Sequence, residues 1–109
     1  MTRPDPTPEE SQALTALDKI IHEPGRLAIV SFLFVVKEAD FIFLMDQTGL
    51  TRGNLSAHMS KLEKAGYVLM EKAFVDKTPR TTYQLTEDGQ NAFRKYREGL
   101  LASLKGLPE

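Results

Sequence analysis

The chain contains no cysteine, which excludes disulfide bonds, thiolate metal sites and cysteine-based redox sensing together. It also lacks a long apolar segment, because the longest one, residues 27–36, is far shorter than the roughly 20 residues that span a bilayer. Residues 1–8 contain three prolines and no apolar core of a signal peptide. From its 109 residues we expect one cytoplasmic domain at residues 9–105, preceded by a disordered proline-rich arm at residues 1–8.

The net charge is only −1, which by itself argues against a polyanionic partner. The charges are unevenly distributed, however. Residues 1–50 carry four basic and eight acidic side chains, whereas residues 51–83 carry six basic and three acidic ones. Phosphate binding depends on local charge rather than on the whole-chain sum. The middle third therefore fits a nucleic-acid surface and, equally well, an ordinary solvated surface.

The sequence also lacks a recognisable set of catalytic residues. The sequence shows neither a Ser/His/Asp set nor a phosphate-binding glycine loop, and Asp40 and Asp46 are interpreted as solvated ends of an apolar segment. The two histidines, His22 and His58, lack the paired spacing of metal ligands. We therefore expect a protein that is not an enzyme and has no metal site and no cofactor.

Apolar periodicity predicts helices at residues 8–21, 24–38 and 51–65, and a final helix that is capped by Thr86 and reaches Leu104. Strands are predicted at residues 67–75 and 81–85, on either side of a turn at 76–80. The apolar segment 40–45 is compatible with a buried strand and with a short buried helix. A compact set of helices followed by a hairpin is the plan of a winged helix.

The segment from Thr51 to Ala65 has the clearest helical pattern, because Leu55, Met59 and Leu62 form one apolar face. The opposite face is small and polar, which lets a DNA backbone approach closely, although a solvated helix face is the alternative interpretation. Asn54 has the donor and acceptor that pair with adenine, and a helix N-terminus suits phosphates. The predicted DNA contacts of this helix are Thr51, Arg52, Asn54, Ser56, Ala57, His58, Ser60 and Lys61. For His58, half-buried packing is an equally good interpretation.

The hairpin tip is basic, and its residues are predicted to reach the DNA backbone or the minor groove. They are Lys77, Thr78, Arg80 and Thr81. A tip that carries lysine for solubility is the alternative.

The first and last helices carry more apolar surface than a small winged-helix core needs. We interpret the excess as a homodimer interface, because inverted-repeat operators match two-fold symmetric proteins. The predicted interface residues are Leu14, Leu17, Ile21, Phe93, Tyr96, Leu100 and Leu104.

Residues 48–68, Thr-Gly-Leu-Thr-Arg-Gly-Asn-Leu-Ser-Ala-His-Met-Ser-Lys-Leu-Glu-Lys-Ala-Gly-Tyr-Val, resemble the turn and recognition helix of winged-helix transcriptional regulators in the broad ArsR/MarR group. Residues 22–27, 79–86 and 89–96 fit the same group. The resemblance implies a mainly α fold with a small β-hairpin (α+β), a helix at residues 41–47, and dimerisation through the first and last helices. The chain lacks the cysteines of ArsR-type metal sensors, so we do not expect metal sensing.

The expected function is that of a sequence-specific regulator of transcription that binds double-stranded DNA. We expect a repressor that acts as a homodimer on an inverted-repeat operator; the sequence identifies no small-molecule effector. The alternative is a winged-helix protein–protein interaction module without DNA binding, which would agree with the nearly neutral net charge.

Overall fold

The computed structural model describes residues 8–105, which form five α-helices and one three-stranded antiparallel sheet. The helices are α1 (Pro8–Thr15), α2 (Pro24–Val36), α3 (Phe41–Thr48), α4 (Arg52–Lys64) and α5 (Glu87–Leu104), and the strands are β1 (Ala39–Asp40), β2 (Val68–Val75) and β3 (Thr78–Leu85). This arrangement confirms the predicted mainly helical fold with a hairpin. The predicted disordered arm lies outside the described residues, except for Pro8, at which α1 begins. Across the described part, every helix is too short or too polar to cross a membrane.

The first helix is shorter than predicted, because α1 ends at Thr15 rather than at Ile21. Turns and bends follow it up to residue 23. The reason is Asp18, whose Oδ1 accepts hydrogen bonds from the backbone N–H groups of Ile20 (2.8 Å) and Ile21 (3.2 Å). Such local side-chain bonds compete with helical pairing. The spacing of Leu14, Leu17 and Ile21 predicted one apolar stripe on a continuous helix. Ile21 instead reaches its buried position through a turn.

Each of the other helices is preceded by a capping residue whose side-chain oxygen accepts a hydrogen bond from an N–H of the first turn. These residues are Glu23 for α2, Asp40 for α3, Thr51 for α4 and Thr86 for α5. Gly49 ends α3 in the left-handed region, with a φ of 72°. The ambiguous segment is therefore helical from Phe41 onward, as the family resemblance implied.

The sheet has the strand order β1-β3-β2. β1 is an addition to the predicted hairpin, and it pairs Ala39 with Tyr83 and Asp40 with Thr82. The hairpin turn is also tighter than predicted, because it consists of two residues, Asp76 (φ 52°) and Lys77 (φ 66°). Positive φ at both central residues defines the turn whose twist matches that of the two strands.

Pro79 lies inside β3, opposite Phe74, although its position was predicted to belong to the turn. In a hairpin with a two-residue turn, the pair that flanks the turn exchanges hydrogen bonds and the next pair does not. Pro79 occupies that next pair, so its missing N–H costs no ladder bond with β2. The prediction that the turn extends to residue 80 was therefore wrong.

The main core lies between α2, α3, α4 and the base of the sheet. From α4 it includes Leu55, Met59 and Leu62, which are at most 2% exposed, so the predicted buried face of this helix is confirmed. The other buried members of the main core are Ile29, Val30, Leu33, Ala39, Leu44, Val68, Tyr83 and Leu85.

A second cluster joins the turn segment after α1 to α5. Its buried members are Leu17, Ile21 and Tyr96. Two polar contacts border it: the Tyr67 hydroxyl donates a hydrogen bond to the Asp18 carboxylate, and Nδ1 of His22 lies 2.7 Å from the Tyr96 hydroxyl. The hydrogen bond to Asp18, together with burial, raises the pKa of Tyr67 to about 12. Burial also raises the pKa of Tyr96.

The first turn of α5 is anchored on the segment that connects α4 to β2. The backbone N–H of Thr86 donates a hydrogen bond to the carbonyl of Tyr67 at 3.0 Å, and its hydroxyl donates one to the carbonyl of Gly66 at 2.6 Å. A Cβ atom at Gly89 would overlap the Tyr67 carbonyl. Only glycine allows the helix to approach this closely, so α5 leaves the body of the domain at a defined point.

Candidate nucleic-acid interface

α4 presents a small, polar surface on the side opposite the main core. Seven of the eight residues predicted to contact DNA there are exposed. They are Thr51, Arg52, Asn54, Ser56, Ala57, Ser60 and Lys61. A Cβ atom at Gly53, on the same surface, would meet nothing within 4 Å. The surface therefore has the low relief that allows another backbone to approach α4 along its length.

The N-terminus of α4 combines free backbone donors with a positioned positive charge. The Thr51 hydroxyl caps the helix by accepting a hydrogen bond from the N–H of Asn54 at 3.2 Å. The guanidinium of Arg52 lies 5.5 Å from the centre of the Phe41 ring, a cation–π geometry that connects α4 to α3. A helix N-terminus with an arginine beside it is suited to binding a phosphate group.

His58 is the exception among the predicted contact residues, because the structure places it in a contact within the chain. Its Nδ1 lies 3.3 Å from Nη1 of Arg26 and 3.5 Å from the carboxylate of Glu23. Its ring packs directly over Gly25, where a Cβ atom would come within 2.6 Å of the imidazole Nε2. The side chain is 20% exposed. This geometry connects the outer edge of α4 to the start of α2.

Arg26 is the buried charge of this junction, with an exposure of 9%. Its Nε donates a hydrogen bond to the carbonyl of Ile20 at 2.6 Å, and its Nη1 lies 3.8 Å from the carboxylate of Glu23. Burial by itself would raise the pKa of Glu23. The backbone N–H groups of Arg26 and Gly25, together with the charges of His58 and Arg26, outweigh burial and lower this pKa. We call these residues the Glu23–Arg26–His58 cluster.

A groove separates the N-terminal half of α4 from the wing, the hairpin formed by β2 and β3. Its volume is about 520 Å³. The residues that line this wing groove are Phe41, Ile42, Arg52, Ser56, Met70, Lys72, Thr81 and Tyr83. The groove brings together Arg52, Ser56 and Thr81 from the two predicted sets of contact residues. It also adds Lys72, which the sequence analysis did not select although its alternation with Met70 could have indicated it.

The other predicted wing residues lie elsewhere. Alternation along β3 puts Thr78 and Arg80 on the sheet face opposite to Thr81, and Lys77 lies in the turn. Nη2 of Arg80 is 3.3 Å from the carboxylate of Asp40, so this arginine connects the wing to the start of α3.

The predicted dimer residues fall into two groups. Leu17, Ile21 and Tyr96 form the second cluster, and Phe93 and Leu100 are half-buried against it. By contrast, Leu14 (39%) and Leu104 (44%) are exposed, and so is their neighbour Leu101 (62%). Among the predicted dimer residues, the surface that is available to a partner is therefore smaller than predicted and lies on α1 and at the end of α5.

Comparisons with known proteins agree with this geometry. Residues 26–104 match the family model described as a winged helix DNA-binding domain. An uncharacterized protein of Methanocaldococcus jannaschii, MJ0432, is 30% identical over 89 residues, which cover 82% of this chain and 97% of that protein.

Solved structures are similar as well. The transcriptional regulator homologue of Pyrococcus horikoshii OT3 superposes with a TM-score of 0.84 at 32% identity, over 93% of this chain and 99% of that one. A putative MarR-family regulator from Enterococcus faecalis V583 shares the fold, with a TM-score of 0.71 at 23% identity over 95% and 93% of the two chains. The chain therefore belongs to the winged helix DNA-binding domain family, a family of non-enzymatic transcription regulators.

Proposed function

We propose that this protein is a cytoplasmic transcriptional repressor that binds an inverted-repeat operator as a homodimer. The observation that carries the proposal is the continuous surface from the exposed face of α4 across the wing groove to the basic wing. The 32% identity with a transcriptional regulator homologue over nearly the whole chain supports a role in transcription. The major groove of B-DNA admits one α-helix, and α4 is the helix with a suitable exposed face.

Within this surface, we assign base reading to Asn54 and Ser56 and positioning to Arg52 and Thr51. Asn54 and Ser56 lie in the first two turns of α4, where recognition helices reach the base edges. Asparagine pairs with the N6 and N7 atoms of adenine. Arg52 and the cap of the helix are suited to phosphates, which carry no base sequence. Further along α4, Ala57 is suited to a thymine methyl group, and Ser60 and Lys61 complete the surface.

Two variants on two duplexes test this assignment. The operator is first selected from random DNA with the purified protein. Asn54→Ala should then cost about 1–3 kcal/mol on the selected operator, which corresponds to roughly 5- to 150-fold in affinity, and much less on a scrambled duplex. Arg52→Ala should weaken binding to both duplexes by a similar factor. Equal losses on both duplexes for Asn54→Ala would remove Asn54 from the base-reading set.

Failure of the wild-type protein to enrich any DNA, even at low salt, would reject the proposal. That result would favour the alternative of a protein–protein interaction module.

The dimer assignment rests on Leu14, Leu101 and Leu104, which are exposed on α1 and at the end of α5. Two copies that meet through these residues would carry two α4 helices on one protein, as an operator with half-sites about one helical turn apart requires. The double substitution Leu101→Glu with Leu104→Glu should give a folded monomer with weaker operator binding. Sedimentation measures the oligomeric state. Ala102→Glu places one such charge on a neighbouring exposed position of α5 and is the control for the effect of added charge. A wild-type monomer at operator-binding concentrations would contradict the dimer.

A further inference from the structure

Phe74 is the most exposed large apolar side chain in residues 8–105, with 77% of its surface open to solvent. It lies one residue from the end of β2, and its partner across the hairpin is Pro79. The end of the wing therefore carries an apolar pair where solubility alone would favour polar residues. Met70, on the same strand, is also exposed (38%), and several exposed apolar side chains on one element mark an interaction site more often than a single one does.

The strand register shows on which side of the wing this pair lies. Side chains alternate between the two faces of a strand, so Phe74 shares a face with Lys72 and Met70. Met70 and Lys72 line the wing groove together with Arg52 of α4. On β3, Pro79 shares this face with Thr81, which also lines the groove. The Phe74–Pro79 pair thus extends the groove face outward, away from the main core.

We propose that Phe74 and Pro79 form an apolar contact with the deoxyribose walls of the DNA minor groove next to the segment that α4 occupies. This inference rests on the proposed function, because it requires α4 to lie in the adjacent major groove. It makes Phe74 a positioning residue whose contribution does not depend on charge.

The charge of this face of the wing and the position of the pair next to the tip favour DNA as the occupant. Lys72 lies on the same face as Phe74, and Lys77 lies in the turn beyond it, whereas alternation puts Glu71 on the opposite face. Asp76 lies beside Lys77 in the turn and offsets its charge, so Lys72 is the cation that makes the face of the apolar pair positive and suited to a phosphate next to the sugar surface. The hairpin ends in a two-residue turn, so the apolar pair lies next to its tip, where a side chain rather than the whole two-stranded ribbon has to enter a minor groove about 6 Å wide.

The test compares Phe74→Ala with Val75→Ala. Val75 is the next residue on β2, is 46% exposed and lies on the opposite face, so it is a matched control for the loss of an apolar side chain. The probe is a fluorescein-labelled random-sequence duplex about three helical turns long, titrated at several salt concentrations. Phe74→Ala should weaken binding by about three- to tenfold, as expected when roughly half of a phenylalanine side chain loses its contact. The dependence of affinity on salt should not change, because an apolar contact releases no counterions.

Lys72→Ala distinguishes this contact from an electrostatic one, because it should reduce the salt dependence by about one unit. Equal affinities of the wild type and Phe74→Ala, or equal losses for Phe74→Ala and Val75→Ala, would overturn the apolar contact and leave the proposed function intact. The same holds if Phe74→Ala changes the sedimentation of the free protein, since the pair would then contact a second copy. Absence of wild-type binding would overturn both proposals. Thermal unfolding checks that each variant is folded.

Discussion

The main core and the second cluster are built from similar side chains, yet they hold the chain in different ways. The main core has eleven buried residues from three helices and the sheet, whereas the second cluster has three. The second cluster is bordered by two polar side-chain contacts, Asp18–Tyr67 and His22–Tyr96. The difference indicates that apolar packing contributes most to holding α2, α3 and α4 together, whereas polar contacts contribute more to the segment between α1 and α2 that packs against α5.

The largest loss should follow from a cavity in the main core. Leu55→Ala removes a side chain of α4 that is fully buried, and we expect it to lower the free energy of unfolding by about 3–5 kcal/mol. Urea unfolding monitored by circular dichroism measures this loss. Ser60→Ala, on the exposed side of the same helix, should change the stability by less than about 0.5 kcal/mol. A small loss for Leu55→Ala would mean that the main core relaxes around the cavity.

A cavity in the second cluster should lower the free energy of unfolding somewhat less than a cavity in the main core does. Ile21 is fully buried, but its cluster has only three buried residues, so Ile21→Ala should cost about 2–4 kcal/mol. Hydrogen exchange should increase in α1 and α5 more than in α4. Uniform acceleration throughout the domain would show that the two clusters unfold as one unit and would remove the contrast between them.

The hydrogen bond from Tyr67 to Asp18, next to the second cluster, should stop contributing to stability at alkaline pH. The folded-state pKa of Tyr67 is raised from 10.0 to about 12, so its contribution to stability is complete below pH 10 and is lost as the pH rises through 12. Tyr67→Phe should cost about 1.5–3 kcal/mol at neutral pH, because the Asp18 carboxylate loses a donor. The difference from the wild type should disappear by pH 12. Tyrosine absorbance in alkali checks the ionisation, and a Tyr67 that ionises at its ordinary pKa would contradict this result.

The contribution of Glu23 at the junction between α2 and α4 should be lost at acidic pH. It should be the smallest of the four losses in free energy of unfolding. The folded-state pKa of Glu23 is lowered below 4.5, so its stabilising effect is present above that pH and is lost as the pH falls through the lower value. Glu23→Ala should cost about 0.5–2 kcal/mol at pH 7, the range for loss of an N-cap. The gap from the wild type should close in acid. Unfolding curves at both pH values provide the measurement, and a constant gap would mean that the carboxylate charge contributes nothing.

The sequence predicted those parts of the fold that local patterns define. The predicted helix at residues 51–65 differs from α4 by one residue at each end, because Leu55, Met59 and Leu62 follow the helical period and Thr51 caps the first turn. Local patterns were misleading where a side chain competed with the backbone, as Asp18 does after α1. They could not show β1, because the two residues of that strand owe their conformation to pairing with Tyr83 and Thr82, far along the chain.

The site was predictable to a similar extent. Exposure along α4 followed from the helical period, but the inward contact of His58 depends on Glu23 and Arg26, which belong to another helix. In the wing, residue type alone grouped Arg80 with Thr81, whereas the strand register separates them between two faces. The basic character of the wing was therefore visible in the sequence, but the face on which each side chain lies was not.

The anchored first turn of α5 makes that helix a lever. The helix is about 27 Å long, and about 22 Å of it separate the fixed point at Gly89 from Leu104 in its last turn. A slight bend in the middle of the helix therefore displaces the far end by much more than the near end. In a dimer joined at the far ends, such a bend would change the distance and the rotational phase between the two α4 helices along the duplex. Substitutions on α5 that never touch DNA would then select which operator spacing the protein accepts.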